Sequence, residues 1–299
     1  MFTGLSAFPL TPLADDHVDE KAFARLVRRL AAARVDSITA LGSTGSYAYL
    51  DRGERARAAR LAVENAGDVP VVIGIGALRT KHVLEFAEDA QQSGASAVLL
   101  APMSYQALTE DDVFGLFAEV TANLSVPLVV YDNPGTTHFT FTDELYARVA
   151  ALPNVASIKI PGVPAEPGTA AGRIRQLRTL LPEHVSIGVS GDSLAATGLN
   201  AGCDAWYSVL GGTLPESALE ITRAAHSGDA QAASQRLRPL WDLFARHGGL
   251  RVVAAIAEQF GLVTRPSLPR PILGLREEDR SDVAKVLAEL EIRPTEKDS

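Results

Sequence analysis

Eight short apolar runs, each leading into a helix-like segment or a turn, recur within about 210 residues of this 299-residue chain, and few architectures can hold them. The runs fall at residues 2–10, 37–43, 70–76, 97–102, 128–133, 155–161, 186–191 and 205–210. Their hydrophobicity is continuous instead of alternating, which reads as strands buried on both faces, the mark of a parallel sheet covered by helices. The segments between them carry helical spacing. Residues 21–33 place Phe23, Leu26, Val27 and Leu30 on one face, and residues 52–66, 81–93, 110–123, 141–152 and 173–181 follow suit. Eight βα units in so short a length predict an α/β fold, a closed (β/α)8 TIM barrel, with an open doubly wound sheet as the alternative. Past Gly212 no further strand is evident, and residues 215–226, 230–246, 250–260 and 277–290 read as helices. The first closes the eighth unit. The expected organisation is therefore a barrel over residues 1–228 and a helical C-terminal extension over residues 229–299. Pro266, Pro269 and Pro271 mark a rigid connection in the extension, and residues 294–299 read as a frayed end.

Composition excludes several classes of partner. The 28 basic and 36 acidic residues leave a net charge of −8, and no basic run is interleaved with aromatics, so neither nucleic acid nor an anionic membrane is an expected partner. The single cysteine, Cys203, allows no intrachain disulfide and fits a reducing compartment. No apolar run reaches the length of a membrane span, and residues 1–4 lead straight into strand-like sequence without a signal region. A soluble cytoplasmic protein is expected. Histidines, Cys203 and carboxylates do not cluster with metal-ligand spacing, so no metal site is expected.

In such barrels chemistry sits where strands end. One residue there is out of place: Lys159, inside the apolar stretch 155–161, one of only five lysines in the chain. An ammonium taken out of water must be paired or lose its proton and become a nucleophilic amine, which is what Schiff-base chemistry on a carbonyl requires. The alternative is a lysine at a strand end that reaches solvent or pairs with a carboxylate. Tyr131 closes the fifth run; beside such a lysine its hydroxyl could pass protons, and otherwise it is a core aromatic. Gly42-Ser43-Thr44-Gly45 places two hydroxyls and backbone N–H groups before an expected helix, which suits a carboxylate or is an ordinary cap. Asn133-Pro134-Gly135 is a turn signal. Asp192 reads either as a helix N-cap after Gly191 or as a substrate contact.

Taken together, Gly42-Ser43-Thr44-Gly45, Tyr131-Asp132-Asn133-Pro134, Ser157-Ile158-Lys159 and Ser190-Gly191-Asp192 make the chain resemble the dihydrodipicolinate synthase and N-acetylneuraminate lyase superfamily of Schiff-base aldolases, over essentially its full length. The resemblance implies that Lys159 forms an imine with pyruvate or a related 2-keto acid. It implies that Tyr131 relays protons, that Ser43 and Thr44 hold the keto-acid carboxylate, and that Gly191 and Tyr207 line the pocket. Tyr105 would belong to a relay reaching across a subunit interface, although Ser104 could take its place, so a homotetramer or dimer is implied. No cofactor is implied, since the lysine itself supplies the electron sink.

Departures from the family pattern bear on the second substrate. Ser46 stands where the family usually has glutamate, and Ile160-Pro161 follow the lysine. The synthases of the family carry an arginine in the loop after the tyrosine that grips the aldehyde's carboxylate; here that position is Thr136, and a hydroxyl does not replace a bidentate clamp. Thr137 or His138 would then meet a different acceptor. The expected function is a Schiff-base lyase or aldolase with an undefined aldehyde or sugar-acid partner. The alternatives are 4-hydroxy-tetrahydrodipicolinate synthase and, from another class, a non-catalytic keto-acid sensor.

Overall fold

The apolar runs pair with their sequence neighbours, and the pairing closes on itself. The computed structural model describes residues 2–294, so residues 295–299 of the expected frayed end lie outside the described residues. The barrel strands are β1 (Gly4–Ala7), β2 (Ser37–Ala40), β3 (Val71–Gly74), β4 (Ala97–Leu100), β5 (Leu128–Tyr131), β6 (Val155–Ile160), β7 (Ser186–Val189) and β8 (Ala205–Ser208), all parallel, with β1 bonded to both β2 and β8. Each is followed by a helix of the outer ring: α1 (Glu20–Ala33), α2 (Arg52–Asn65), α3 (Thr80–Gln92), α4 (Glu110–Thr121), α5 (Asp143–Ala150), α6 (Pro167–Leu180), α7 (Ala195–Asn200) and α8 (Pro215–Ala225). The closed α/β barrel is the expected architecture, and the open sheet is excluded.

Capping explains where these helices start. Asp51 and Thr109 each accept a backbone N–H three residues on and receive a carboxylate back at their own N–H, so α2 and α4 begin with reciprocal caps. Glu166 caps α6 through Gly168 and Thr169, which starts that helix six residues earlier than its hydrophobic spacing predicts. The expected helix over 230–246 is instead two, α9 (Ala230–Arg236) and α10 (Arg238–His247), because Pro239 has no N–H to continue the ladder. A small antiparallel hairpin, Leu13–Ala14 with His17–Val18, escaped the sequence pattern because each arm is only two residues long. The helices α11 (Gly249–Gln259) and α12 (Glu277–Glu289) complete the chain. Val253, Ala254 and Ala257 of α11 pack with Leu10, Ala22 and Leu26, which seats the C-terminal helices on the β1–α1 side of the barrel. Among the described residues, no helix is long and apolar enough to cross a membrane.

Two layers of core follow from the two faces of each strand. The outer faces, such as Val130, Ile158 and Ile160, join the large cluster beneath the helices. The inner faces form a smaller, partly polar core of Val72, Ala97, Leu99, Val129, Tyr131 and Tyr207. Inside it Ser6 and Thr39 share a hydrogen bond of 2.7 Å, and Ser157 and Tyr207 another of 2.7 Å. The phase of β6 is set by an irregularity. Leu128 pairs with Val155 but Val129 pairs with Ser157, so Ala156 is passed over as a bulge. Strict alternation from the outward-facing Val155 would turn position 159 toward the helices; the bulge turns it inward.

Room for the inner aromatics depends on Gly188, which pairs with Lys159 across the sheet. A Cβ at Gly188 would lie 2.2 Å from the Tyr207 ring. Gly188→Ala is expected to destabilise the protein by about 1–3 kcal/mol, because the buried ring, bonded through its hydroxyl to Ser157, must shift to make room. A urea-unfolding midpoint equal to the wild type would show that Tyr207 shifts without cost.

Candidate active site

β6 delivers Lys159 to the barrel interior at the level of Tyr131, its register partner on β5. Only 3% of Lys159 is exposed. Its Nζ lies 4.0 Å from the centroid of the Phe8 ring, 4.0 Å from that of Tyr131 and 5.8 Å from that of Tyr207. It has no hydrogen bond or ion pair among the described residues. The snorkelling and ion-paired alternatives for this lysine therefore do not describe it. Burial pulls its ammonium down to about 7, working against the buried carboxylate of Asp192, which favours the charged form. An amine with that acidity is substantially uncharged near neutral pH.

The phenol of Tyr131 is the centre of a polar group at the mouth of the barrel. Ser43 Oγ lies 3.3 Å from its oxygen, and Asn133 Nδ2 donates to it at 2.9 Å. Asn133 also donates to Thr136 Oγ1 at 3.0 Å and approaches Ser43 Oγ at 3.4 Å. Burial pushes the pKa of Tyr131 above the usual phenol value, with the Ser43 contact opposing. Ser43 and buried Thr44 sit in a tight loop bracketed by Leu41 and Ser46, both with left-handed backbones at φ 56° and 53°. Strain of this kind persists where surrounding packing holds it in place. The loop does not run directly into an α-helix as expected. A single turn of 3-10 helix over Tyr47–Tyr49 intervenes and α2 starts only at Arg52, so the loop is not the N-terminal cap of α2. Gly42 has no Cβ because the Phe8 ring occupies that place, at 2.6 Å.

The remaining expected residues fall into three groups. Tyr207 is buried in the interior beside the amine and bonded to Ser157. Gly191 turns the chain after β7 with φ 80°. His138, exposed with φ 56°, ends the one-turn helix Pro134–Thr137, and Thr136 lies inside that helix. Tyr105 is 91% exposed and has no hydrogen-bond partner among the described residues, so a single chain does not bring it to the amine. Asp192 is neither an N-cap nor an open contact. It is buried and accepts from Trp206 Nε1 at 3.0 Å, Ser208 Oγ at 3.1 Å, Val209 N at 3.2 Å and Leu210 N at 2.9 Å, which pins the end of β8. Its place in the sequence carried no sign of this, because all four donors lie 14 or more residues away.

Two residues noted in the sequence only as part of a turn or motif take places there that it did not assign. Asn133, which had read as a turn former, is the closest polar neighbour of Tyr131. Asp132 faces outward, and its backbone N–H donates to the carbonyl of Lys159 at 3.0 Å while its carboxylate accepts from Tyr146 OH at 2.5 Å. Burial pushes its carboxyl up to about 6. A cleft of about 440 Å³ opens on that outer side, lined by Asp132, Phe141, Tyr146, Ile160, Arg173 and Gln176 and not by the amine. Among the described residues, no group of three or more His, Cys, Asp or Glu is arranged to hold a metal.

A model of the dihydrodipicolinate synthetase family matches residues 1–290. Among curated relatives, 4-hydroxy-tetrahydrodipicolinate synthase from Alkalilimnicola ehrlichii is 29% identical over 96% of this chain and 98% of its own length. The enzyme of that name from Hyphomonas neptunium is 32% identical over 81% of this chain and 82% of its own. Among solved structures, dihydrodipicolinate synthase from Agrobacterium tumefaciens superposes with a TM-score of 0.93 at 44% identity, covering 97% of this chain and 98% of that one.

The displaced amine has a thermodynamic signature. Its value in the folded chain, about 7, lies below the ordinary 10.5, so between these limits the unfolded chain binds the extra proton. Stability from this group therefore rises with pH from about 7 to 10.5 and is flat below about 7. Lys159→Met is expected to be the more stable protein at pH 7, by on the order of a few kcal/mol. That advantage should shrink as pH rises toward 10.5; thermal melts across the range would show a constant difference if the amine were solvated.

Proposed function

The chain belongs to the dihydrodipicolinate synthetase family, and on that premise we propose that it is a class I lyase or aldolase whose Lys159 forms a Schiff base with pyruvate or a related 2-keto acid. The observation that carries this reading is an amine whose charged form burial disfavours, in a closed, aromatic-lined interior and in contact with the ring of a phenol that can pass protons. The neutral nitrogen attacks the ketone carbon. The nitrogen gives up a proton and the former carbonyl oxygen takes one up, leaving a carbinolamine. Tyr131 then protonates the departing hydroxyl, water leaves, and a protonated imine forms, its nitrogen keeping its hydrogen and Tyr131 left as the phenolate. Loss of a proton from the neighbouring carbon gives an enamine, whose carbon adds to an aldehyde. Ser43 and Thr44 take the keto-acid carboxylate, with Gly191 and Tyr207 as pocket lining.

For the aldehyde, the relatives' names favour the reaction of 4-hydroxy-tetrahydrodipicolinate synthase, with aspartate semialdehyde as acceptor, over the undefined partner expected from sequence alone. One observation favours the second reading, a hydroxylated or sugar-derived acceptor. Thr136 stands where the family's synthases have arginine, and its hydroxyl already accepts from Asn133, so this loop offers His138 but no guanidinium for a carboxylate. We further propose a homotetramer or dimer acting in the cytoplasm, since exposed Tyr105 can join the site only if another subunit covers it.

Incubation with pyruvate and borohydride, followed by intact mass and peptide mapping, should place one reduced pyruvate adduct on Lys159 and none on Lys159→Ala. Tight reversible pyruvate binding without an adduct would favour the sensor reading and end this one. Turnover of aspartate semialdehyde by the pyruvate-loaded protein would establish the synthase reaction; turnover of hydroxylated aldehydes alone would establish the second reading.

A further inference from the structure

We propose that Asn133 is a positioning residue for Tyr131: its side-chain amide holds the phenol toward Ser43 and steadies the charge the phenol gains on giving up its proton. This rests on the Schiff-base reading of Lys159 and Tyr131 and deepens it.

Asn133 precedes the one-turn helix Pro134–Thr137, a place where an asparagine side chain ordinarily accepts from the second or third backbone N–H. Here it makes no such bond. Its backbone carbonyl anchors the turn instead, accepting from Thr136 N at 2.9 Å, Thr137 N at 2.9 Å and Thr137 Oγ1 at 3.0 Å. The amide is left to Tyr131 at 2.9 Å and Thr136 at 3.0 Å. A cap has been forgone for a contact with the phenol.

The chemistry of a primary amide suits that contact. It offers two N–H donors and carries no charge at any working pH. Tyr131 is buried, which disfavours its phenolate and so hinders any step in which it releases a proton. An N–H aimed at the phenol oxygen in a site kept from water offsets this, because a hydrogen bond to a charged acceptor is much stronger than one to a neutral acceptor. With that N–H on its oxygen, the phenol lies 3.3 Å from Ser43, where either hydroxyl can donate, and the same amide approaches Ser43 at 3.4 Å, which groups Asn133, Tyr131 and Ser43 in one cluster. The second N–H, on Thr136, fixes the amide plane. Every member of this cluster comes from one subunit, whereas Tyr105 lies exposed. Thr136 then serves Asn133 in place of gripping a substrate carboxylate.

Exchange of the pyruvate methyl hydrogens in deuterium oxide, followed by NMR, reads proton transfer at the imine without any aldehyde. Asn133→Leu, close in size but without a donor, should lower the exchange rate at saturating pyruvate by roughly 10- to 100-fold. Half-saturation by pyruvate and the final yield of borohydride-trapped adduct should stay within about two-fold, by the same reasoning that the contact acts on a proton transfer and not on binding. Asn133→Asp keeps the shape but cannot donate when ionised. Its rate relative to wild type should be lowest at pH 8 and recover as pH falls, because a protonated carboxyl donates again. Tyr131, Lys159, Tyr47 and Asp132 are present in both proteins; the new carboxylate also favours the Lys159 ammonium, so the ratio is read at saturating pyruvate, where that nitrogen is held in the imine. Wild-type exchange in both variants would overturn the proposal, as would a change confined to half-saturation. Should Asn133→Leu fail to fold, the pH course of the Asn133→Asp ratio decides alone. Absence of exchange and of adduct in the wild type would instead sink the Lys159 reading on which the proposal stands.

Discussion

A primary amine kept out of water without a counter-ion is the condition on which the rest of this structure turns. Two effects compete at Lys159. Burial disfavours the ammonium, and the carboxylate of Asp192 favours it; burial is the larger, and the balance falls near neutrality. Asp192 is held by four donors at the end of β8 and makes no hydrogen bond or ion pair with the amine, so its charge acts on Lys159 only from a distance. The nitrogen is instead bounded by the rings of Phe8, Tyr131 and Tyr207, which come from beyond β1 and from β5 and β8. No pair of adjacent strands could supply that enclosure. It needs a sheet that has closed.

Closure in turn constrains what can fill the interior. An all-aliphatic filling would leave no hydroxyls near the amine, and an all-polar one would leave unpaired donors in a dry space. The chain resolves this in pairs, Ser6 with Thr39 and Ser157 with Tyr207, so that interior hydroxyls satisfy one another. Gly188 yields its side-chain volume to the Tyr207 ring, and the bulge at Ala156 turns Lys159 to the same side. Behind the wall, Asp132 ties β5 to β6 through Lys159's carbonyl and reaches α5 through Tyr146, so the level of the amine is fixed from outside as well.

At the mouth, the loops after β2 and β5 meet over one phenol. The first contributes Ser43 from between two left-handed residues, and the second contributes Asn133 from the start of a single helical turn. Neither loop is long, and each is held by backbone bonds of its own, which leaves the side chains of Ser43 and Asn133 to meet the phenol of Tyr131. The same economy explains Thr136, whose hydroxyl is taken up within the loop.

The barrel was legible in the residue pattern because burial on both faces writes itself as continuous apolar runs, and eight of these separated by helices leave one common solution. Lys159 and Tyr131 were legible for a related reason: a lone charge in an apolar run, and a phenol at a strand end, stand out against their neighbours. What could not be read is whatever depends on distant partners. The bulge at Ala156 appears only when β5 is laid beside β6. The four donors to Asp192 are brought together by the β7–β8 neighbourhood, and Asn133 looks like a turn residue until the fold sets Tyr131's hydroxyl within its reach. Local order in the chain determined which strands exist and which lysine would be buried; the closed barrel decided how dry that lysine is and which groups face it, because side-chain environment is a property of strands that meet in space.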